Sequence, residues 1–148
     1  MSINKVYTFA KEEHLCRLAY IEQLFSGQAE TFMVWPVRMI CLLVDKKSES
    51  DAATQVMVSV SKRYFKHAVD RNRVKRQLRE SFRLNRLDLM EWLQQHPQKQ
   101  LWVAFVWQDE KLHDSADVKK AIVKLLGQLT DRLTPEGILK PKNKKSKS

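Results

Sequence analysis

The stretch from Asp70 to Gln95 constrains the fold most. It contains no Gly or Pro over several turns' length, and it runs to His96 before Pro97, where a helix should stop. Projected at about 100° per residue, Val74, Leu78, Phe82 and Leu89 share one face. Lys75, Arg76, Arg79, Arg83 and Arg86 occupy the neighbouring arc, with Asn72 inside it and Glu80 at its edge. A helix divided in this way has a narrow apolar stripe that must lie on another layer, and a cationic side that must face solvent or anions.

The flanking sequence supplies the layer. Phe32 to Trp35 and Met39 to Val44 read as extended segments with Pro36 between them, and Asp45 to Thr54 is a polar turn. Gln55 to Ser61 alternates Val56, Val58 and Val60 with mostly polar residues, the period of a half-buried strand. Leu101 to Trp107 is almost wholly apolar and short, which predicts a buried strand, and Trp102, Phe105 and Trp107 are assigned to the core. Leu15, Leu18, Ile21, Leu24 and Phe25 recur at helical spacing from Lys11 to Phe25, and Gly27 follows as a stop. A last helix, capped by Asp114 or Ser115, carries Val118, Ile122, Leu125, Leu129 and Leu133 on one face. The expectation is an α+β two-layer sandwich in the order helix, strands, helix, strand, helix, without internal repeats. One domain is expected over 1–139, followed by a disordered tail over 140–148 with five lysines.

Charge narrows the choice of partner. Of the formal +10 on 148 residues, about +8 lies between Lys62 and Arg86, where ten basic residues face only Asp70 and Glu80. Few acidic partners stand at i,i+4, so the face repels itself unless phosphates neutralise it. A membrane-surface helix needs an apolar face free to insert, and this one is narrow and required by the core. No run approaches the roughly 18 apolar residues of a membrane span, and no basic segment followed by an apolar signal core opens the chain, so the expected location is the cytoplasm. Cys16 and Cys41 are far apart in apolar settings and read as reduced, buried thiols.

An ordered series of residues goes further than charge. Val58-Ser59-Val60-Ser61-Lys62-Arg63 is followed by Ala68-Val69-Asp70-Arg71-Asn72-Arg73-Val74-Lys75-Arg76 and Arg79-Glu80. This series resembles the signature of the protein subunit of bacterial ribonuclease P. Phe9 to Leu15 and Ile21 to Gly27 are similar to that family's N-terminal segment and first helix, so the resemblance covers about residues 7 to 133. It implies helices around a four-stranded mixed sheet (α-β-β-β-α-β-α), like domain 2 of ribosomal protein S5, with a left-handed βαβ crossover. It also implies a basic helix that meets a catalytic RNA, and a cleft between the first helix and the sheet that holds the 5′ leader of precursor tRNA. On that basis Lys62, Arg63, Arg71, Asn72, Arg73, Lys75, Arg76, Arg79 and Arg83 are the expected RNA-binding residues, and Ile21, Phe25 and Trp35 the expected cleft residues. The sequence departs from the family in three places. Tyr64-Phe65-Lys66-His67 lacks the usual Gly, Ile21 stands where many relatives have an aromatic, and Cys41 takes the place of a leader-contacting aromatic on the first long strand.

The chain shows no catalytic constellation of its own. His14, His67, His96 and His113 lie in four separate elements with no ligand spacing, and Gly27, Gly127 and Gly137 form no phosphate loop. No catalytic residue and no protein-held metal is therefore expected; the resemblance places catalysis and magnesium with the RNA subunit and the protein as a monomer in isolation. Two rivals remain: a general RNA- or ribosome-binding protein with no catalytic partner, and a self-sufficient metal-dependent nuclease.

Overall fold

The apolar run after position 100 becomes the strand that organises the sheet. In the computed structural model, which describes residues 18–141, β4 (Lys99–Trp107) lies between two neighbours. It pairs antiparallel with β2 (Val37–Asp45) and parallel with β3 (Thr54–Ser59), while β1 (Glu30–Val34) closes the far side of β2. The order is β1-β2-β4-β3. A strand flanked on both edges and covered on both faces has no use for polar alternation, so β4 is apolar almost throughout.

Three helices cover one face: α2 (Ala68–Leu84), α3 (Leu87–Gln94) and α4 (Ser115–Arg132). Val74, Leu78 and Phe82 of α2, Leu89 of α3 and Ile122 of α4 join Met39, Val103 and Phe105 of the sheet in one core. The other face carries α1 (Leu18–Leu24), where Leu24 packs with Ile40, Trp102 and Ala104 and Tyr20 stacks on Trp102 at 4.3 Å between centroids. Gly27, at φ +97°, makes the turn after α1 that a side chain would strain. The expected start of this helix at Lys11, the segment Phe9 to Leu15 and Cys16 lie outside the described residues. Asp114 caps α4 by accepting the Asp117 N–H at 2.9 Å.

The structure corrects the reading of Asp70 to Gln95 as one helix. Asn85 leaves helical geometry (φ −126°, ψ 22°), and its Nδ2 donates to the Ser81 carbonyl at 2.8 Å, which ends α2. The Arg86 carbonyl then accepts from the Met90 N–H at 2.9 Å and opens α3. The break turns Arg86 inward. Its side chain is fully buried, with the guanidinium 5.3 Å from the centre of the Phe82 ring, so it is not part of the solvent-facing arc.

Cys41 is the free, buried thiol expected, but its place on the leader-contacting side is corrected. Strand alternation on β2 sends Met39 and Cys41 to the helix-covered core and Ile40 and Leu42 toward α1. Cys41 therefore does not stand in the cleft, and burial pushes its thiol pKa well up.

Beyond α4 the chain folds back. Leu133 bridges Leu139, and the Lys140 N–H donates to the Arg132 carbonyl at 2.8 Å, so the first residue of the expected tail is still tied to the domain. His96, stacked on Trp92, places one ring nitrogen 2.9 Å from the Trp92 carbonyl and the other 2.9 Å from that of Pro135. Two carbonyl acceptors favour the imidazolium, so the His96 pKa is raised, with the Pro135 carbonyl as the main cause.

Candidate nucleic-acid interface

Between β3 and α2 the chain builds a basic corner without glycine. The Ser61 carbonyl accepts from the Tyr64 and Phe65 N–H groups, and Ser61 Oγ accepts from the Arg63 N–H, which makes a tight turn. Phe65 is buried in the main core and anchors the bridge, while Lys62 and Arg63 remain exposed. Arg71 ties the bridge to the helix: its Nη1 donates to the carbonyls of Phe65 at 2.8 Å and Lys66 at 3.1 Å. This residue, expected among the RNA contacts, thus has a positioning job in the free protein.

Along α2 the sequence sets a clear division. Val74, Gln77, Leu78, Ser81 and Phe82 are buried, and on a 100° projection the remaining arc runs from Lys75 through Arg79, Asn72, Arg83 and Arg76 to Arg73. Asn72, Arg73 and Arg76 are exposed, and Lys75, Arg79 and Arg83 are partly so. Arg83 forms an ion pair with Glu80, the one carboxylate on this arc. The structure therefore brings Arg73, Lys75, Arg76, Arg79 and Arg83 onto one surface, with Lys62 and Arg63 in the turn that leads into the same helix.

The opposite face of the sheet is floored by apolar and small polar groups and one cation. Register places Met33, Arg38, Val106 and Ser59 in one row across the sheet, and Thr31, Ile40, Ala104 and Met57 in the next. Of the three expected cleft residues, Ile21 is packed against the Leu24–Trp102 cluster, whereas Phe25 is 47% and Trp35 61% exposed. Trp35 lies at the β1–β2 hairpin tip beyond the Val34–Val37 pair, roughly 13 Å along the strands from the Ile40 row that α1 covers. The three do not make one stacking platform. Arg38 was passed over in the sequence although it alternates with the buried Val37 and Met39; it is an exposed cation on the cleft floor.

His14 lies outside the described residues, His67 precedes α2 without a side-chain cap bond, and His96 and His113 make local contacts. His113 Nε2 lies 2.7 Å from Asp109, a hydrogen bond that holds the Asp109 carboxyl below its usual range. Among the described residues no three His, Cys, Asp or Glu side chains gather as metal ligands, and no helix is long and apolar enough to cross a membrane.

A mixed sheet with a one-sided cationic helix after its parallel strand defines a basic α+β protein whose charged face suits an anionic partner. The sequence model of the family described as Ribonuclease P matches residues 9–130. Two ribonuclease P protein components from strains of Porphyromonas gingivalis are 35% and 33% identical over 141 and 140 residues, covering 95% of this chain and 98% of each relative. The chain belongs to the ribonuclease P protein family, the protein component of the endoribonuclease that matures tRNA 5′ ends.

The fold agrees with this. The Thermotoga maritima RNase P protein superposes with a TM-score of 0.57 at 17% identity, covering 78% of this chain and 96% of that one. A Staphylococcus aureus RNase P protein mutant with defective mRNA degradation activity gives 0.58 at 14%, covering 86% and 97%. Family membership favours the ribonuclease P subunit over the generic RNA binder.

Proposed function

We propose that the solvent face of α2, together with Lys62 and Arg63, docks the catalytic RNA of ribonuclease P, and that the sheet face beside α1 holds the 5′ leader of precursor tRNA. The observation that carries this reading is the separation of the two surfaces. One presents five cations on a single helix arc, and the other presents an exposed aromatic, Phe25, next to an open sheet face. Phosphates neutralise the first, and bases stack on the second without sequence readout. Asn72 supplies a neutral hydrogen-bonding group within the cationic arc.

The described residues do not fit a magnesium site, since no carboxylates converge; the ion that cleavage needs is assigned to the RNA. The protein's share is to screen phosphates and to orient the leader. It is expected to act in the cytoplasm and to be a monomer until the RNA is bound.

The test is processing of a precursor tRNA with each component alone and together. Purified protein alone should leave the precursor intact, and it should raise processing by the catalytic RNA at low magnesium. Cutting at the mature 5′ end by RNA-free protein would sink the reading.

A further inference from the structure

We propose that the groove between α2 and α4 grips a phosphodiester strand of the catalytic RNA from two sides, with Lys119 of α4 opposing Arg73 and Arg76 of α2. This rests on α2 as the docking helix and adds a second wall to it. The groove has a volume of about 550 Å³, within the roughly 300–1,000 Å³ of sites that enclose small organic ligands, so a nucleotide-sized unit can enter.

Charge identifies the occupant. Arg73, Arg76 and Lys119 line the groove, all three are exposed, and among the described residues none has an ion-pair partner. The groove also contains the Glu80 carboxylate, which would repel a phosphate, but the Arg83 guanidinium holds it. Three cations facing one gap destabilise one another in the free protein, and an anion in the gap relieves that repulsion.

The walls are fixed before RNA arrives. Gln77, buried in the groove floor, donates through Nε2 to the His113 carbonyl at 3.0 Å and to Ser115 Oγ at 3.2 Å, tying α2 to the start of α4. Its Oε1 has no hydrogen-bond partner. Pre-set walls lower the ordering cost of binding.

Lys120 and Lys124 are also exposed, but they lie about 100° and 140° further round α4 from Lys119 and outside the groove lining. They make an internal control. With the full-length protein and the catalytic RNA, affinity is measured from 50 to 200 mM salt for Lys119→Ala, Lys119→Glu, Lys120→Ala and Arg79→Ala, alongside thermal melts. Lys119→Ala should flatten the salt slope by about one unit, Lys119→Glu should weaken binding at least about tenfold at 100 mM salt, and Lys120→Ala should match wild type. None of the α4 variants should melt lower. If both Lys119 variants behave like Lys120→Ala while Arg79→Ala flattens the slope, the groove is overturned and the docking helix stands. If Arg79→Ala is also silent, both fail. If Lys119 variants weaken precursor tRNA binding but not catalytic RNA binding, the partner assigned here is wrong and the proposal falls.

Discussion

On α2 the side chains that reach solvent are cations on long stems, whereas beside α1 they are rings and short groups set on a paired sheet. The two surfaces obey different physics. Phosphate contacts on α2 release counterions and weaken steeply with salt, while base stacking in the cleft draws on burial of flat apolar area, and salt acts there only through whatever leader phosphates are also neutralised. The comparison teaches a division of labour: α2 can supply affinity without reading sequence, and the cleft can supply preference for a substrate that carries an unpaired segment.

The largest expected effect tests that division directly. With about six basic residues at phosphates, affinity for the catalytic RNA should fall roughly 10³-fold between 50 and 200 mM salt. Over the same range the ratio of precursor to mature tRNA affinity in the holoenzyme should stay nearly constant, because the leader contributes through stacking. A ratio that collapses with salt would mean that the cleft also works by charge, with Arg38 as the first suspect.

The next prediction separates cations that dock from a cation that packs. Arg79→Ala should leave the melting temperature close to wild type and flatten the salt slope by about one unit. Arg86→Ala should do the reverse. The Arg86 side chain is fully buried over Phe82, so truncation removes packing and is expected to cost about 2–4 kcal/mol of stability, while the slope of any folded fraction is unchanged. Denaturation by urea and salt-dependent RNA binding on the two variants decide it. Equal slopes and equal melts would erase the distinction drawn from the break at Asn85.

That break shows where sequence reading ran out. The order of elements, the buried β4 and the cationic stripe were legible because each rests on a pattern that burial enforces: alternation in β3, an unbroken apolar run in β4, and three-to-four spacing in α2 and α4. Nothing so periodic announces a helix stop at Asn85. No Pro or Gly marks it, and the projection that correctly grouped Arg79 with Arg83 carried Arg86 along with them. The burial of Cys41 was legible, but the face it takes was not, for a related reason. A one-residue slip in assigning strand position exchanges the two faces of a sheet, and the register with Val103 settles which face it takes. The groove between α2 and α4 was invisible because Lys119 and Arg76, more than forty residues apart in the chain, are brought together only by the packing of the two helices.

The smallest effect expected concerns Phe25, and it bears on the less populated side of the comparison. Its ring is 47% exposed, while the neighbouring Leu24 and Ile21 pack against the sheet cluster, so the two roles that could have fallen to any of these residues are divided among them. A core Phe→Ala typically costs 3–5 kcal/mol of stability; Phe25→Ala should cost far less, since much of its surface is already in water. Stacking of a base on an aromatic is worth roughly 1–3 kcal/mol, so the same substitution should weaken binding of leader-bearing precursor by about tenfold. Mature tRNA has no leader to stack and should bind almost as before, and the salt slope for the catalytic RNA should not move, because α2 is untouched. Phe25→Leu sharpens the measurement: it keeps an apolar side chain but removes the flat ring, so it should behave like Ala toward precursor. If Leu restores precursor binding, the position offers only apolar area. If neither variant changes the precursor-to-mature ratio, the stacking ring lies elsewhere, and Trp35, exposed at the far end of the β1–β2 hairpin, becomes the residue to replace.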